Sequence, residues 1–191
     1  MTKTLTSRRV DAESALLDAA ERLLVTVGHA GLTTRKVAEE AGVNHGLVHY
    51  YFGSMHQLLA QVLERFTTQL IARQRAMYAE DRPFVEKWRT AMRYLDDDRR
   101  YQKVWFELQA LAWNRPELRE SVVRAQEAWY DVLREAFERG RAEYEVDVPT
   151  DVLAALVVTF NEGIILERLS GGDGRHGALL DWIDGWLERS R

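Results

Sequence analysis

Apolar residues recur at three- and four-residue spacing from one end of this chain to the other, the period of helices packed on one side. Ala15/Leu16, Ala19/Ala20, Leu23/Leu24 and Val27 form a first stripe that stops at Gly28, a helix-ending residue. Val37, Ala38 and Ala41 predict a short second helix ended by Gly42, and residues from about His45 to Phe52 a third. Leu58/Leu59, Val62/Leu63, Phe66 and Leu70 predict a long fourth. Ser54-Met55-His56-Gln57 opens it as a capping box, in which hydroxyl and amide exchange bonds with the first turn. Val85-Trp88-Met92-Leu95, Val104/Trp105-Leu108-Leu111 and Leu118-Val122-Ala125-Trp129-Val132/Leu133-Ala136 predict three more. Residues 152–169 are apolar on more than one face, as in a helix buried in a core or an interface. Leu179/Leu180, Trp182/Ile183 and Trp186/Leu187 predict the last. Pro83, Pro116 and Pro149 each fall where one pattern gives way to the next, and no strand pattern of useful length occurs. The expectation is an all-α fold of about nine helices.

Composition narrows the chemistry. The 191 residues, 46% hydrophobic, suffice for a buried core. With no cysteine there is no disulfide, thiol nucleophile or Cys-ligated metal. No apolar run approaches the roughly 18 residues of a membrane span, and the N-terminal stretch lacks a secretory pattern, so a cytoplasmic protein without membrane contact is expected. The net charge of −4 is unevenly spread. Residues 1–60 carry as many bases as acids, and four of the five histidines, so the excess acid lies beyond them. That third is less repelled by a polyanion than the rest; a merely solvated tail gives the same pattern.

Residues 31–52 are the most informative. Two helices too short to stand alone are joined through Gly42-Val43; Thr33 can cap the first and Asn44 the second. Val37, Ala38, Val43, Leu47 and Val48 can close a small core with the first helix of the chain. This is a helix-turn-helix layout. The opposite face of its second helix presents His45, His49 and Tyr50 around Gly46, groups that hydrogen-bond and stack. From spacing alone, plain packing and DNA reading both stand.

Residues about 9–60 resemble the DNA-binding domain of the TetR family of transcriptional regulators. The resemblance lies in Gly31-Leu32-Thr33-Thr34, Val37-Ala38 and Ala41-Gly42-Val43, then Gly46, Tyr50-Tyr51-Phe52, Ser54 and Leu58-Leu59. It implies a three-helix head over residues 1–53 and a ligand-binding, dimerising bundle over 54–191, with the helix at about 54–80 linking them. It also implies roles residue by residue. Thr33 and Thr34 grip phosphate at a helix N-terminus; Arg35 reads guanine or clamps phosphate, with Lys36 beside it. His45, Gly46 and His49 stand at the base-facing positions of the recognition helix, Asn44 at its start is a further DNA-contact candidate, and Tyr50 and Tyr51 pack and contact phosphates. Arg8 and Arg9 form an arm toward the backbone or minor groove. Two positions depart from the family pattern: His49 replaces its usual Tyr, and Met55 its phosphate-contacting Lys or Asn.

Other chemistry finds little support. His45 and His49 lack the intervening Glu of a metalloprotease helix and a third ligand. Asp96-Asp97-Asp98 reads as a solvated helix end. Gly172 to Gly177 lacks the Lys-Ser/Thr of a P-loop, and Ser54 sits in no nucleophile frame. Neither metal nor other cofactor is expected, and no catalytic activity. All six tryptophans follow residue 87. Trp88, Trp105, Leu108, Gln109, Trp113, Trp129, Asn161 and Glu162, with Glu107, are candidates for an apolar effector pocket with a few polar groups; the aromatic members read equally as core. The last two helices, with small residues Ala154, Ala155 and Gly163, are candidates for a homodimer interface. The reading is a regulator released by a small apolar or aromatic molecule from a near-palindromic DNA operator. The alternatives are a helical interaction module without DNA binding and a small-molecule-modifying helical enzyme.

Overall fold

The structure is a computed structural model describing residues 5–144, 147–172, 174 and 176–190, with side chains described from residue 11 onward. The described residues form α1 (Leu5–Val27), a 3-10 turn (His29–Gly31), α2 (Thr34–Ala41), α3 (Gly46–Phe52), α4 (Met55–Ala79), α5 (Phe84–Asp97), α6 (Arg99–Ala112), α7 (Pro116–Gly140), α8 (Thr150–Leu169) and α9 (Gly177–Arg189). No strand is present among them. Each predicted helix is found; the 3-10 turn was not foreseen.

Residues 1–66 and 103–125 form one compact unit, and 67–102 and 126–191 a second. The chain passes between them inside α4, near the start of α6 and inside α7. The first unit therefore extends past residue 53, recruiting half of α4, most of α6 and the start of α7.

Its buried side chains include Leu16, Ala19, Ala20 and Leu24 of α1, Val37 and Ala38 of α2, and Val48 and Phe52 of α3. Leu58, Leu59 and Val62 of α4 and Val104 and Leu108 of α6 are buried as well. α1 packs against α2, and α2 against α3. Arg65 on α4 holds α1 through Asp18, at 2.6 Å, and Glu21.

The second unit buries an aromatic cluster: Tyr78, Phe84, Trp88 and Tyr144, with Ile71, Met77, Val132, Val157 and Leu187, and Trp129, Phe137 and Trp186 packed on it. Phe84 meets Tyr78, Phe137 and Tyr144 at centroid separations of 6.4, 5.9 and 6.0 Å. Burial pushes the Tyr78 phenol far above its ordinary pKa. Arg89 on α5 grips Asp184 at 2.7 and 2.8 Å and Glu188 at 2.7 Å on α9; hydrogen bonding to Arg89 draws the Asp184 pKa down.

Asp96 and Asp97 are exposed at the end of α5, as expected, but Asp98 is not solvated. Asp98 is only 8% exposed and pairs with Arg73, whose guanidinium lies 4.1 Å from the Tyr94 ring centroid. Asp96 pairs with Arg168 at 2.8 Å. Burial of Asp98 is tolerable because a cation is bonded to it.

Candidate nucleic-acid interface

Thr33 has extended backbone, and its Oγ accepts the Lys36 N–H at 3.2 Å, so α2 begins where the sequence places its cap. α2 ends at Gly42 in the left-handed region, φ 69° and ψ 29°. The N–H groups of Gly42 and Val43 then reach the carbonyls of Glu39 and Ala38, a Schellman close that sets the turn. Asn44 Oδ1 accepts the Gly46 N–H at 2.8 Å and starts α3. Gln57 N–H bonds Ser54 Oγ at 3.2 Å at the start of α4; the Ser54 N–H goes to the Phe52 carbonyl at 2.8 Å.

These joints turn α3 so that Val48 and Phe52 face inward. His45, Gly46, His49 and Tyr50 form one exposed stripe, spaced i, i+1, i+4 and i+5. It contains no acid. Tyr50 is 65% exposed and meets half-buried Tyr51 edge-on at 5.0 Å. The His49 ring points along the helix, its Nδ1 donating to the Gly53 carbonyl at 3.1 Å. Thr33, Arg35 and Lys36 are exposed at the start of α2, with Thr34 half-buried beside them.

The two bases there are not idle. Arg35 Nε donates to Glu39 Oε1 at 2.8 Å, and that bond and charge raise the guanidinium pKa. Lys36 Nζ donates to the Gly31 carbonyl at 2.9 Å. Arg35 thus keeps its Nη donors for an outside acceptor, but with an acid alongside. Arg8 and Arg9 lie on the α1 backbone, and their side chains fall outside those described.

The effector candidates divide between the two units. Trp88, Trp129, Asn161 and Glu162 lie in the second unit, and Trp105, Leu108, Gln109 and Trp113 in the first. Trp88 is buried, Trp129 half-buried in the aromatic cluster, and Asn161 and Glu162 half-buried on α8. The Asn161 Oδ1 is buried without a hydrogen-bond partner. Leu108 is fully buried; Trp105 and Gln109 are half-buried. Trp113 stands in the turn after α6, which ends at Ala112, and its ring is 71% exposed.

Glu107, a candidate effector contact, bonds a corner of the first unit. Its Oε2 accepts the His29 N–H at 2.6 Å, and neighbouring Lys103 donates to the Val25 carbonyl at 3.2 Å. This junction joins residues 78 positions apart, beyond the reach of any local pattern. Among the described residues, no group of three or more His, Asp or Glu side chains is placed to hold a metal, and no helix is long and apolar enough to cross a membrane.

On α8, Val152, Ala155, Leu156, Thr159, Gly163 and Leu166 form an exposed stripe, and α9 exposes Leu179 and Trp182. Ala154 is not part of this surface; it is fully buried.

Residues 16–62 match the family described as bacterial regulatory proteins of the tetR family, and residues 87–190 match the BetI-type transcriptional repressor C-terminal family. The HTH-type transcriptional repressor Rv3405c of Mycobacterium tuberculosis is 39% identical over 62 residues, 32% of this chain and 33% of that protein, so this alignment spans about a third of the relative's length. The HTH-type transcriptional regulator BetI 1 of Chromohalobacter salexigens is 27% identical over 188 residues, 92% of this chain and 90% of its own. In fold, the chain is similar to a Saccharomonospora viridis protein described as a transcriptional regulator and solved in complex with choline. The TM-score is 0.74 at 21% identity, covering 94% of this chain and 95% of that one. With the C-terminal match alone spanning more than half of its length, the chain belongs to the TetR family of bacterial transcriptional regulators.

Proposed function

We propose that this protein is a homodimeric repressor acting in the cytoplasm, which reads a near-palindromic operator through α3 and leaves it when a small molecule binds the C-terminal bundle. Residues 1–53 serve as the reading head and 54–191 as the effector and dimer domain. The observation that carries the reading is the acid-free stripe of His45, Gly46, His49 and Tyr50, exposed over a buried Val48–Phe52 face. Gly46 lets the helix backbone approach base edges, while the imidazoles and phenol supply donors, acceptors and stacking surface. Thr33, Thr34, Arg35 and Lys36 at the α2 N-terminus, with Tyr50, Tyr51, Asn44, Arg8 and Arg9, provide phosphate contacts that fix orientation.

The exposed apolar stripe of α8 and the Leu179/Trp182 face of α9 support dimerisation through a two-fold interface. Such a dimer sets two recognition helices about 34–36 Å apart, or a multiple of that. The effector proposed is a small organic cation of the choline kind. A ring cluster containing Trp88, Trp129 and Tyr144 offers cation–π faces, and the unpartnered Asn161 Oδ1 offers an acceptor for a hydroxyl. Glu162, half-buried on the same helix, supplies a negative charge. Helix α4 carries the message: Leu58, Leu59 and Val62 belong to the buried set of the first unit, Ile71, Met77 and Tyr78 to the cluster of the second. Displacing one end of a continuous helix shifts the other, and the operator must weaken the effector by the same factor as the effector weakens the operator.

The test is a gel shift with the DNA flanking the protein's own gene. A retarded band that the folded Tyr50→Ala variant loses, and that choline releases, supports the reading. No band at low salt with any flanking fragment contradicts the operator claim; a band indifferent to choline contradicts the effector class alone.

A further inference from the structure

The imidazole of His49 is fixed in one tautomer by the end of its own helix. Its Nδ1 lies 3.1 Å from the Gly53 carbonyl oxygen. A carbonyl can only accept, so Nδ1 carries the hydrogen; in the neutral ring Nε2 is then a bare lone pair. His49 is exposed, as are His45 and Tyr50, and with Nδ1 engaged by the Gly53 carbonyl that lone pair is the ring's remaining polar atom for a partner. In the major groove, adenine N6 and cytosine N4 are donors; guanine O6 and N7 and thymine O4 are acceptors. An acceptor on the protein is satisfied by the first pair and opposed by the second.

We propose that His49 is a specificity-determining residue that selects an amino-bearing base, adenine or cytosine, at one position of each operator half-site, with Gly53 as the positioning group that sets its tautomer. This rests on the reading of α3 as the DNA-recognition helix and names what one of its side chains reads. Carbonyls at a helix end lack intrahelical donors, and here the Gly53 carbonyl, just past α3, turns an ambidentate ring into a one-way acceptor. Tyrosine, the family's usual residue at this position, carries a hydroxyl that both donates and accepts and so lacks this bias.

The test is in vitro selection of bound duplexes from a randomised library, with the full-length wild type, His49→Ala and His49→Arg, at neutral pH. The wild type is expected to yield a two-fold consensus with A or C at one position per half-site. In His49→Ala that preference falls roughly three- to tenfold, the worth of a single hydrogen bond, while the other positions persist. In His49→Arg it moves to G. A long-range proton–nitrogen spectrum of the full chain is expected to show the His49 hydrogen on Nδ1. The proposal is overturned by a consensus unchanged in His49→Ala, by G or T at the position His49 controls in the wild type, or by a hydrogen on Nε2. A wild type that enriches no consensus overturns the DNA reading itself, and this inference with it.

Discussion

One carbon added at Gly28 perturbs the first unit twice, in its backbone and at a long-range contact. Its backbone sits at φ 70°, ψ 175°, a region essentially closed to residues with a side chain. An alanine there costs about 1–3 kcal/mol in backbone strain alone. Its Cβ would also stand 3.0 Å from Glu107 Oε1 and 3.2 Å from Oε2. That carboxylate is committed to the His29 N–H at 2.6 Å, so it cannot withdraw freely. Forfeiting such a charge-assisted bond costs roughly a further 1.5–3 kcal/mol. Gly28→Ala is therefore expected to lose about 2.5–6 kcal/mol of the first unit's stability. Gly42→Ala is the control. It also has positive φ, but in the left-handed region and with no atom within 4 Å of the new Cβ, so about 1–2 kcal/mol is expected. Urea unfolding followed by helical circular dichroism measures both, and Glu107→Ala completes a double-mutant cycle. In that background Gly28→Ala should retain only its strain. If Gly28→Ala costs no more than Gly42→Ala, or adds to Glu107→Ala without coupling, the junction of α6 with the α1 corner is not the clamp described.

Glu39→Gln removes the acid beside Arg35. Operator affinity should rise severalfold and the salt dependence should steepen by about one phosphate contact, roughly 0.9 in the log–log slope; an unchanged slope would mean Arg35 does not face the backbone. Leu156→Glu places a charge in the exposed α8 stripe, where Leu156 is 62% exposed in the single chain. Sedimentation should show a monomer with native helical content, and a persisting dimer would place the interface elsewhere. Tyr78 should be silent in a spectrophotometric alkaline titration of the folded protein. Its folded pKa lies above the unfolded value of 10.0, so its contribution to stability is complete below pH 10 and declines above it as the unfolded chain ionises. Ionisation of all seven tyrosines near pH 10 without unfolding would contradict its burial.

The helices were legible because each carries its own period and punctuation. Gly28, Gly42, Thr33, Asn44 and Ser54 end or begin helices where their local chemistry dictates. The exposed stripe of α3 was legible for the same reason, since seven residues with two apolar anchors leave only one face to spare. Long-range polar pairings leave no such trace. Asp98 read as solvated because nothing near it in sequence announces Arg73 on another helix. Glu107 read as a pocket residue because its partner is a backbone N–H, which every residue but proline possesses. Ala154 and Ala155 are neighbours of equal size, and only the phase of α8 decides that the first is buried and the second exposed. The tautomer of His49 depends on a carbonyl four residues on, visible only once the helix end is built.

Methylation interference on a bound operator fragment probes α3 most directly, because guanine N7 is a major-groove atom. Two clusters of interfering guanines are expected on one face of the duplex, centred about one helical turn or a multiple apart, and Tyr50→Ala should abolish the complex that reports them. Interference confined to adenine N3 in the minor groove, or a single cluster without a symmetric mate, would contradict a dimer that reads DNA through the helix beginning at Gly46.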